Sequence, residues 1–125
     1  MKDLIILPSK QNPDLQFIAS TGELSIAGQS LPENVVLLYD SVLNWVDEYS
    51  NNPAPKTVLT FKMRYYNTAT SRMFFSLIKK MNNMFKNGKS VEIHWFYQKD
   101  DEDMLDAGEY FRDLVDLPFK FIAIE

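Results

Sequence analysis

From Val35 to the C-terminus the apolar residues of this chain alternate between two spacings, and that alternation admits very few folds. Val35, Leu38, Tyr39, Val42, Val46 and Tyr49 recur every three or four residues and mark the buried face of a helix. Asn51-Asn52-Pro53 follows, and proline cannot continue that helix. Thr57 to Met63 is β-branched and aromatic with partial alternation, which predicts a strand. Phe74, Leu77, Ile78, Met81, Met84 and Phe85 return to helical spacing and stop at Asn87-Gly88, where a left-handed residue is readily accommodated. Ser90 to Tyr97 reads as another strand. Asp100-Asp101-Glu102-Asp103 then places acids at the positive end of a third helix carrying Met104, Gly108, Phe111, Leu114 and Val115. Leu117-Pro118 breaks it, and Phe119 to Ile124 closes the chain as a strand. Upstream, residues 15–19 and 24–27 flank Ser20-Thr21-Gly22-Glu23, the pattern of a β-hairpin whose glycine takes a positive φ. The expected order is a hairpin followed by α, β, α, β, α, β. Such an order calls for an α/β fold with right-handed crossovers and helices packed on a mainly parallel sheet, the hairpin adding an antiparallel portion.

With 125 residues, 46% hydrophobic and 14% aromatic, the chain suits one domain over 1–125, large enough to bury about two-thirds of its unfolded surface. No repeat, low-complexity tract or internal linker divides it. The absence of cysteine removes disulfides, thiolate metal sites and a cysteine nucleophile, and the simplest address is the cytoplasm. Met1 to Pro8 has an early acid, a proline stop and no small-residue cleavage site, so it does not read as a signal peptide, and no apolar span is long enough to cross a bilayer. A net charge of -4 with scattered cations argues against nucleic acid as a partner.

Catalytic and cofactor signals are sparse, and neither a metal nor a cofactor is expected. The single histidine, His94, sits in a strand among aromatics without a glycine-rich phosphate loop or metal-ligand spacing, so it reads as structural. The acidic run Asp100 to Asp103 lacks the spaced oxygens and turn glycine of a calcium loop and reads as a solvated helix start. Trp45, Trp95 and the phenylalanines follow core periodicity rather than a ligand cage. Met73, Met81 and Met84 would serve either as an adaptable surface or as core, and core is the simpler reading.

Between the strand and the second helix lies Tyr65-Tyr66-Asn67-Thr68-Ala69-Thr70-Ser71-Arg72, read as a hydroxyl-rich turn. Asn67, Thr68 or Thr70 can cap the helix, an interaction worth about 1 kcal/mol. One cap does not require four polar side chains in five residues, and a hydroxyl at a helix N-terminus also stands where a phosphate is well received. Arg64 and Arg72 bracket the segment, either as plain solubilising charges or as groups that screen a phosphate or meet an acidic partner. Pro32-Glu33-Asn34 starts the first helix.

These segments together carry a family resemblance. Thr21 to Gly28, Ser30 to Asn34, Tyr66-Asn67-Thr68 with Ser71-Arg72, His94 to Tyr97 and Pro118-Phe119 occur in an order that resembles the SiaC family of bacterial regulatory phosphoproteins. That family's domain is similar to anti-sigma-factor antagonists, which implies a SpoIIAA-like (STAS-like) fold. The resemblance implies a non-enzymatic partner-switching protein. Thr68 matches the threonine phosphorylated by a kinase of the anti-sigma-factor-kinase type and dephosphorylated by a PP2C-type phosphatase. Arg64, Tyr66, Asn67, Thr70, Ser71 and Arg72 then form the switch surface, with Pro32, Glu33 and Asn34 as a second contact region. It also implies a downstream effector such as a diguanylate cyclase, linking the switch to cyclic-di-GMP and biofilm behaviour. The competing readings are a small enzyme or ligand-binding domain in which Thr68, Ser71 and His94 converge on a pocket, and a constitutive scaffold.

Overall fold

The β-branched and aromatic runs become six strands in a computed structural model that describes residues 1–125. The elements are β1 (Leu4–Ile6), β2 (Asp14–Ile18), β3 (Glu23–Ser30), α1 (Val35–Tyr49), β4 (Thr57–Tyr66), α2 (Thr68–Lys86), β5 (Val91–Gln98), α3 (Glu102–Asp113) and β6 (Phe119–Ile124). They form one sheet in the order β1-β2-β3-β4-β5-β6. The β1–β2 and β2–β3 pairs are antiparallel, and the pairs from β3 to β6 are parallel.

Each crossover moves one strand further in the same direction, so right-handed connections lay α1, α2 and α3 on a single face. Burial follows. Leu24, Ile26, Leu59, Phe61, Ile93 and Trp95 are sealed beneath the helices, whereas the intervening Ser25, Thr60, Lys62, Glu92 and His94 look out from the uncovered face. The core is one cluster of 23 residues, and it includes Met81 and Met84. At about 25 cal/mol per Å² of apolar surface, each fully buried large side chain contributes roughly 1.5–3 kcal/mol. No helix is long and apolar enough to cross a membrane.

Two glycines are set by close approach. Gly22, at φ +76°, closes the β2–β3 turn so tightly that a Cβ would lie 2.1 Å from the Lys56 carbonyl oxygen. Gly108 lets α3 settle onto the sheet, where a Cβ would stand 2.6 Å from the Trp95 ring and 2.8 Å from Phe121. The Trp95 indole N–H donates to the Met104 carbonyl at 2.9 Å and completes that seam.

The fold departs from the sequence expectations at four places. Leu4–Ile6 pairs with β2 as an edge strand, too short to display a period; the Trp45 indole N–H fixes the preceding chain by donating to the Lys2 carbonyl at 2.8 Å. Leu114 and Val115 lie beyond α3, whose last residue is Asp113. They belong to a bend held by Asn82 of α2, whose Oδ1 accepts from the N–H groups of Asp116 and Leu117 at 3.0 and 3.1 Å.

Tyr65 and Tyr66 end β4, and no turn separates them from α2, with Asn67 as the single connecting residue. Finally, β4 contains a bulge. Gly28 pairs with Met63 and Gln29 with Tyr65, leaving Arg64 as the extra residue. The bulge shifts the alternation by one, so Tyr66 turns inward onto Phe74, with ring centroids 4.9 Å apart, and Tyr65 turns out.

Candidate functional site

The inward turn of Tyr66 sets where α2 begins. Asn67 is extended at φ -85° and ψ 173°, its N–H donates to the Ser30 carbonyl at 3.2 Å, and its Oδ1 accepts from the Thr70 N–H at 2.9 Å. Asn67 is therefore the N-cap. Thr68 follows as the first helical residue, exposed to solvent. By helix geometry the N–H groups of Thr68 and Ala69 have no acceptor in the first turn, so unpaired donors stand beside the Thr68 hydroxyl.

Thr70, two residues on, has the opposite environment and is fully buried. Its Oγ1 lies 3.0 Å from Ser30 Oγ and donates to the Ser30 carbonyl at 3.2 Å. Ser30 Oγ in turn lies 2.7 Å from the Tyr39 hydroxyl of α1. One proton assignment satisfies all three hydroxyls: Tyr39 O–H donates to Ser30 Oγ, Ser30 O–H to Thr70 Oγ1, and Thr70 O–H to the Ser30 carbonyl. Burial pushes the Tyr39 phenol up to about 12 despite its bond to Ser30, and burial alone raises Tyr66 to about 12. Thr70 is thus removed from the expected switch surface because its hydroxyl is an interior link between β3, α1 and α2. Ser71 and Tyr66 are half-buried.

Helical periodicity carried a signal for this. Thr70 stands one turn before Phe74 on the stripe that continues through Leu77, Ile78 and Met81, whereas Thr68 does not. Ser30 and Tyr39 were absent from the sequence-derived site, although a tyrosine on the buried face of α1 must find a partner for its hydroxyl.

The remaining expected residues lie at the surface or at helix starts. Arg64 and Arg72 are both exposed and take part in none of the ion pairs. Asn34 caps α1, its Oδ1 accepting from the Leu37 N–H at 3.0 Å, with Glu33 exposed and Pro32 half-buried beside it. Because Ser30 bonds to both helices, the Pro32–Asn34 segment and Asn67–Thr68 occupy the same rim. Exposed Val36 and Leu37 add apolar surface there. A shallow cleft lined by Arg64, Tyr65, Tyr66, Asp101, Asp103 and Met104 runs from the bulge to the start of α3.

Thr68, Ser71 and His94 do not converge. His94 lies on the uncovered sheet face, its Nε2 2.6 Å from Glu92, while α2 packs on the other side, and none of the five principal clefts is lined by two of the three residues. Glu92 also meets Lys56 at 2.7 Å and Lys120 at 3.2 Å. Bonds to Lys56 and His94, then to Lys120, hold its carboxyl at about 2, well below the usual range, against the opposing effect of burial. Asp101 caps α3 by accepting from the Met104 N–H at 3.0 Å, and no group of three His, Asp or Glu side chains is placed to hold a metal ion.

In parallel sheets a ligand crevice opens at the strand ends where the order of strands reverses, and from β3 to β6 the order never reverses. The fold and site therefore define a one-sided α/β domain whose candidate residues lie on an open rim rather than in an enclosed pocket. The model of SiaC family regulatory phosphoproteins matches residues 6–124, and the chain belongs to that family. An uncharacterised protein of Pseudomonas aeruginosa (strain UCBPP-PA14) is 27% identical over 123 residues, covering 98% of each chain. Apo-SiaC from Pseudomonas aeruginosa superposes with a TM-score of 0.90 at 27% identity, covering 98% of this chain and all of the other. A further match, from the crystal structure of the diguanylate cyclase SiaD in complex with its activator SiaC from the same organism, has a TM-score of 0.93 at 26% identity and covers 98% of this chain and all of that one.

Proposed function

We propose that this protein is a non-enzymatic partner switch controlled by reversible phosphorylation of Thr68. In this reading a kinase of the anti-sigma-factor-kinase type adds the phosphate, a PP2C-type phosphatase removes it, and the unmodified form binds and activates a diguanylate cyclase in the cytoplasm. The fold is then of the SpoIIAA-like (STAS-like) kind, which the hairpin followed by αβαβαβ supports. The observation that carries the reading is the exposure of Thr68 at the first position of α2, beside a buried Thr70. Family membership and the likeness to an activator found in complex with a cyclase support the choice of effector.

A phosphate adds about -1.5 to -2 charges at pH 7. At a helix N-terminus it recovers about 0.3–2 kcal/mol, and Arg64 and Arg72 are free to screen it. The fold tolerates the modification. A partner that covers Thr68 must instead desolvate a dianion, and a net loss of about 3–4 kcal/mol weakens binding roughly a hundred- to a thousand-fold.

The test is incubation with the cognate kinase and ATP, followed by intact-mass and peptide mass spectrometry. One added phosphate is expected, located on Thr68 and absent from Thr68→Ala. Label on another residue relocates the switch. A Thr68→Glu chain that binds the cyclase as tightly as wild type makes the protein a constitutive scaffold.

A further inference from the structure

The two edges of the sheet are unequally protected. At one side β1 is three residues long and Pro8 follows closely. At the other, β6 runs six residues, Phe119–Ile124, with no proline or glycine and in unbroken register with β5. Pro118 and Ile124 accept from Ile93 and Lys99 on the β5 side. The even-numbered residues of β6 are therefore turned to β5, and the N–H and C=O groups of Phe119, Phe121 and Ala123 point away from the sheet. A hydrophobic edge of this length is a template for another strand, and proteins ordinarily blunt such edges.

The element above that edge is strongly charged. Gly108 of α3 rests on Phe121, and the Arg112 guanidinium lies 5.3 Å from the Phe121 ring centroid. The helix carries five acids (Glu102, Asp103, Asp106, Glu109 and Asp113) against Arg112 alone, a net of -4 that equals the net charge of the whole chain. Arg112 is shared between Glu109 and Asp113, whereas Glu102 and Asp106 enter no ion pair, and Asp103 faces the Arg64–Tyr66 cleft on the β4 side of the helix. Antiparallel pairing of two β6 strands about a two-fold axis would set two such helices side by side, so the charge opposes a second copy. It favours a cationic strand.

We propose that the outer edge of β6, overhung by acidic α3, takes an extended segment of a partner protein as a seventh strand, one alternating cationic residues toward α3 with apolar residues toward the uncovered face. Main-chain bonds to Phe119, Phe121 and Ala123 supply the attachment, and the acids of α3 select the segment. The surface lies two strands away from β4 and Thr68, so a partner held there remains bound in either modification state.

The probe is a ten-residue peptide alternating Lys and Val, with a Glu–Val peptide as control, added to isotopically labelled protein. Amide exchange read by NMR should slow at least tenfold at Phe119, Phe121 and Ala123 with the Lys peptide and be unchanged with the Glu peptide. Ala123→Pro removes an outward donor that no ladder bond uses, a change edge strands tolerate, and should abolish the protection. Glu102→Gln with Asp106→Asn should weaken the Lys peptide about three- to tenfold and provides a test should the proline variant fail to fold. Three results overturn the proposal: no protection at millimolar peptide, equal protection by the Glu peptide, or protection that appears without peptide as protein concentration rises, which would make the occupant a second copy.

Discussion

Replacing Ser30 by alanine isolates the buried hydroxyl chain that separates Thr70 from Thr68. The substitution deletes the acceptor of the Tyr39 O–H, and Tyr39 is 1% exposed, so no water replaces it. Thr70 Oγ1 keeps the Ser30 carbonyl at 3.2 Å and loses only one of its two contacts. The principal cost is one buried, unpaired phenol, about 1–3 kcal/mol, with the smaller loss at Thr70 bringing the expected value to about 2 kcal/mol. For a domain of this size that lowers Tm by roughly 6–10 °C. Urea unfolding followed by tryptophan fluorescence measures it directly, and the slope should stay at its wild-type value because the surface exposed on unfolding is unchanged. Removing the stranded phenol as well, in Ser30→Ala with Tyr39→Phe, should recover about 1 kcal/mol, since replacing both partners leaves nothing unsatisfied. Thr68→Ala should lie within about 0.5 kcal/mol of wild type, as befits an exposed position. The assignment is refuted if Ser30→Ala unfolds at the wild-type urea midpoint, or if the double variant is less stable than the single one.

Gly108→Ala forces a methyl group against Trp95 and Phe121 and should cost about 1–3 kcal/mol, measured in the same unfolding assay; a neutral result would mean that α3 lifts from the sheet without penalty. Glu92 ionises at about 2 in the folded protein rather than at the ordinary 4.5, so its share of stability is complete above pH 4.5 and disappears as the pH falls toward 2. Glu92→Gln should therefore lose stability less steeply than wild type across that interval in thermal melts at constant ionic strength, and parallel curves would contradict the Lys56–Glu92–Lys120 arrangement.

The periodicities of α1, α2, β5 and β6 were readable because each element meets one shared core, so its apolar spacing reports its own geometry. The left-handed stop at Gly88 was readable for a similar reason, being a local backbone requirement, whereas the sequence left the α2 cap open among Asn67, Thr68 and Thr70, of which Asn67 fills it. The bulge at Arg64 was not. It exists only relative to Gly28 and Gln29 on the neighbouring strand, and nothing within Thr57–Tyr66 marks where the phase changes. That hidden phase shift also obscured the site, because it turns Tyr66 inward, and β4 runs into the expected turn to join α2 through Asn67 alone. The ion cluster around Glu92 was equally hidden, since Lys56, Glu92 and Lys120 come from three different strands or their approaches.

The contrast between Thr68 and Thr70 explains how one short segment provides both a fixed anchor and a free hydroxyl. The helix advances by about 100° per residue, so two positions carry the second hydroxyl round to the opposite side. A phosphate on Thr70 would place a dianion in the core and break its bonds to Ser30, costs that the fold cannot meet. A phosphate on Thr68 breaks no bond seen here and meets unpaired N–H groups. The link from Tyr39 through Ser30 to Thr70, with the Asn67 N–H on the Ser30 carbonyl, holds the start of α2 against β3 and α1 without using the Thr68 hydroxyl. In the proposed switch, a phosphate on Thr68 would therefore change the charge of the rim and leave its shape in place, so its effect on a partner would act through desolvation and repulsion at the contact rather than through movement of the helices.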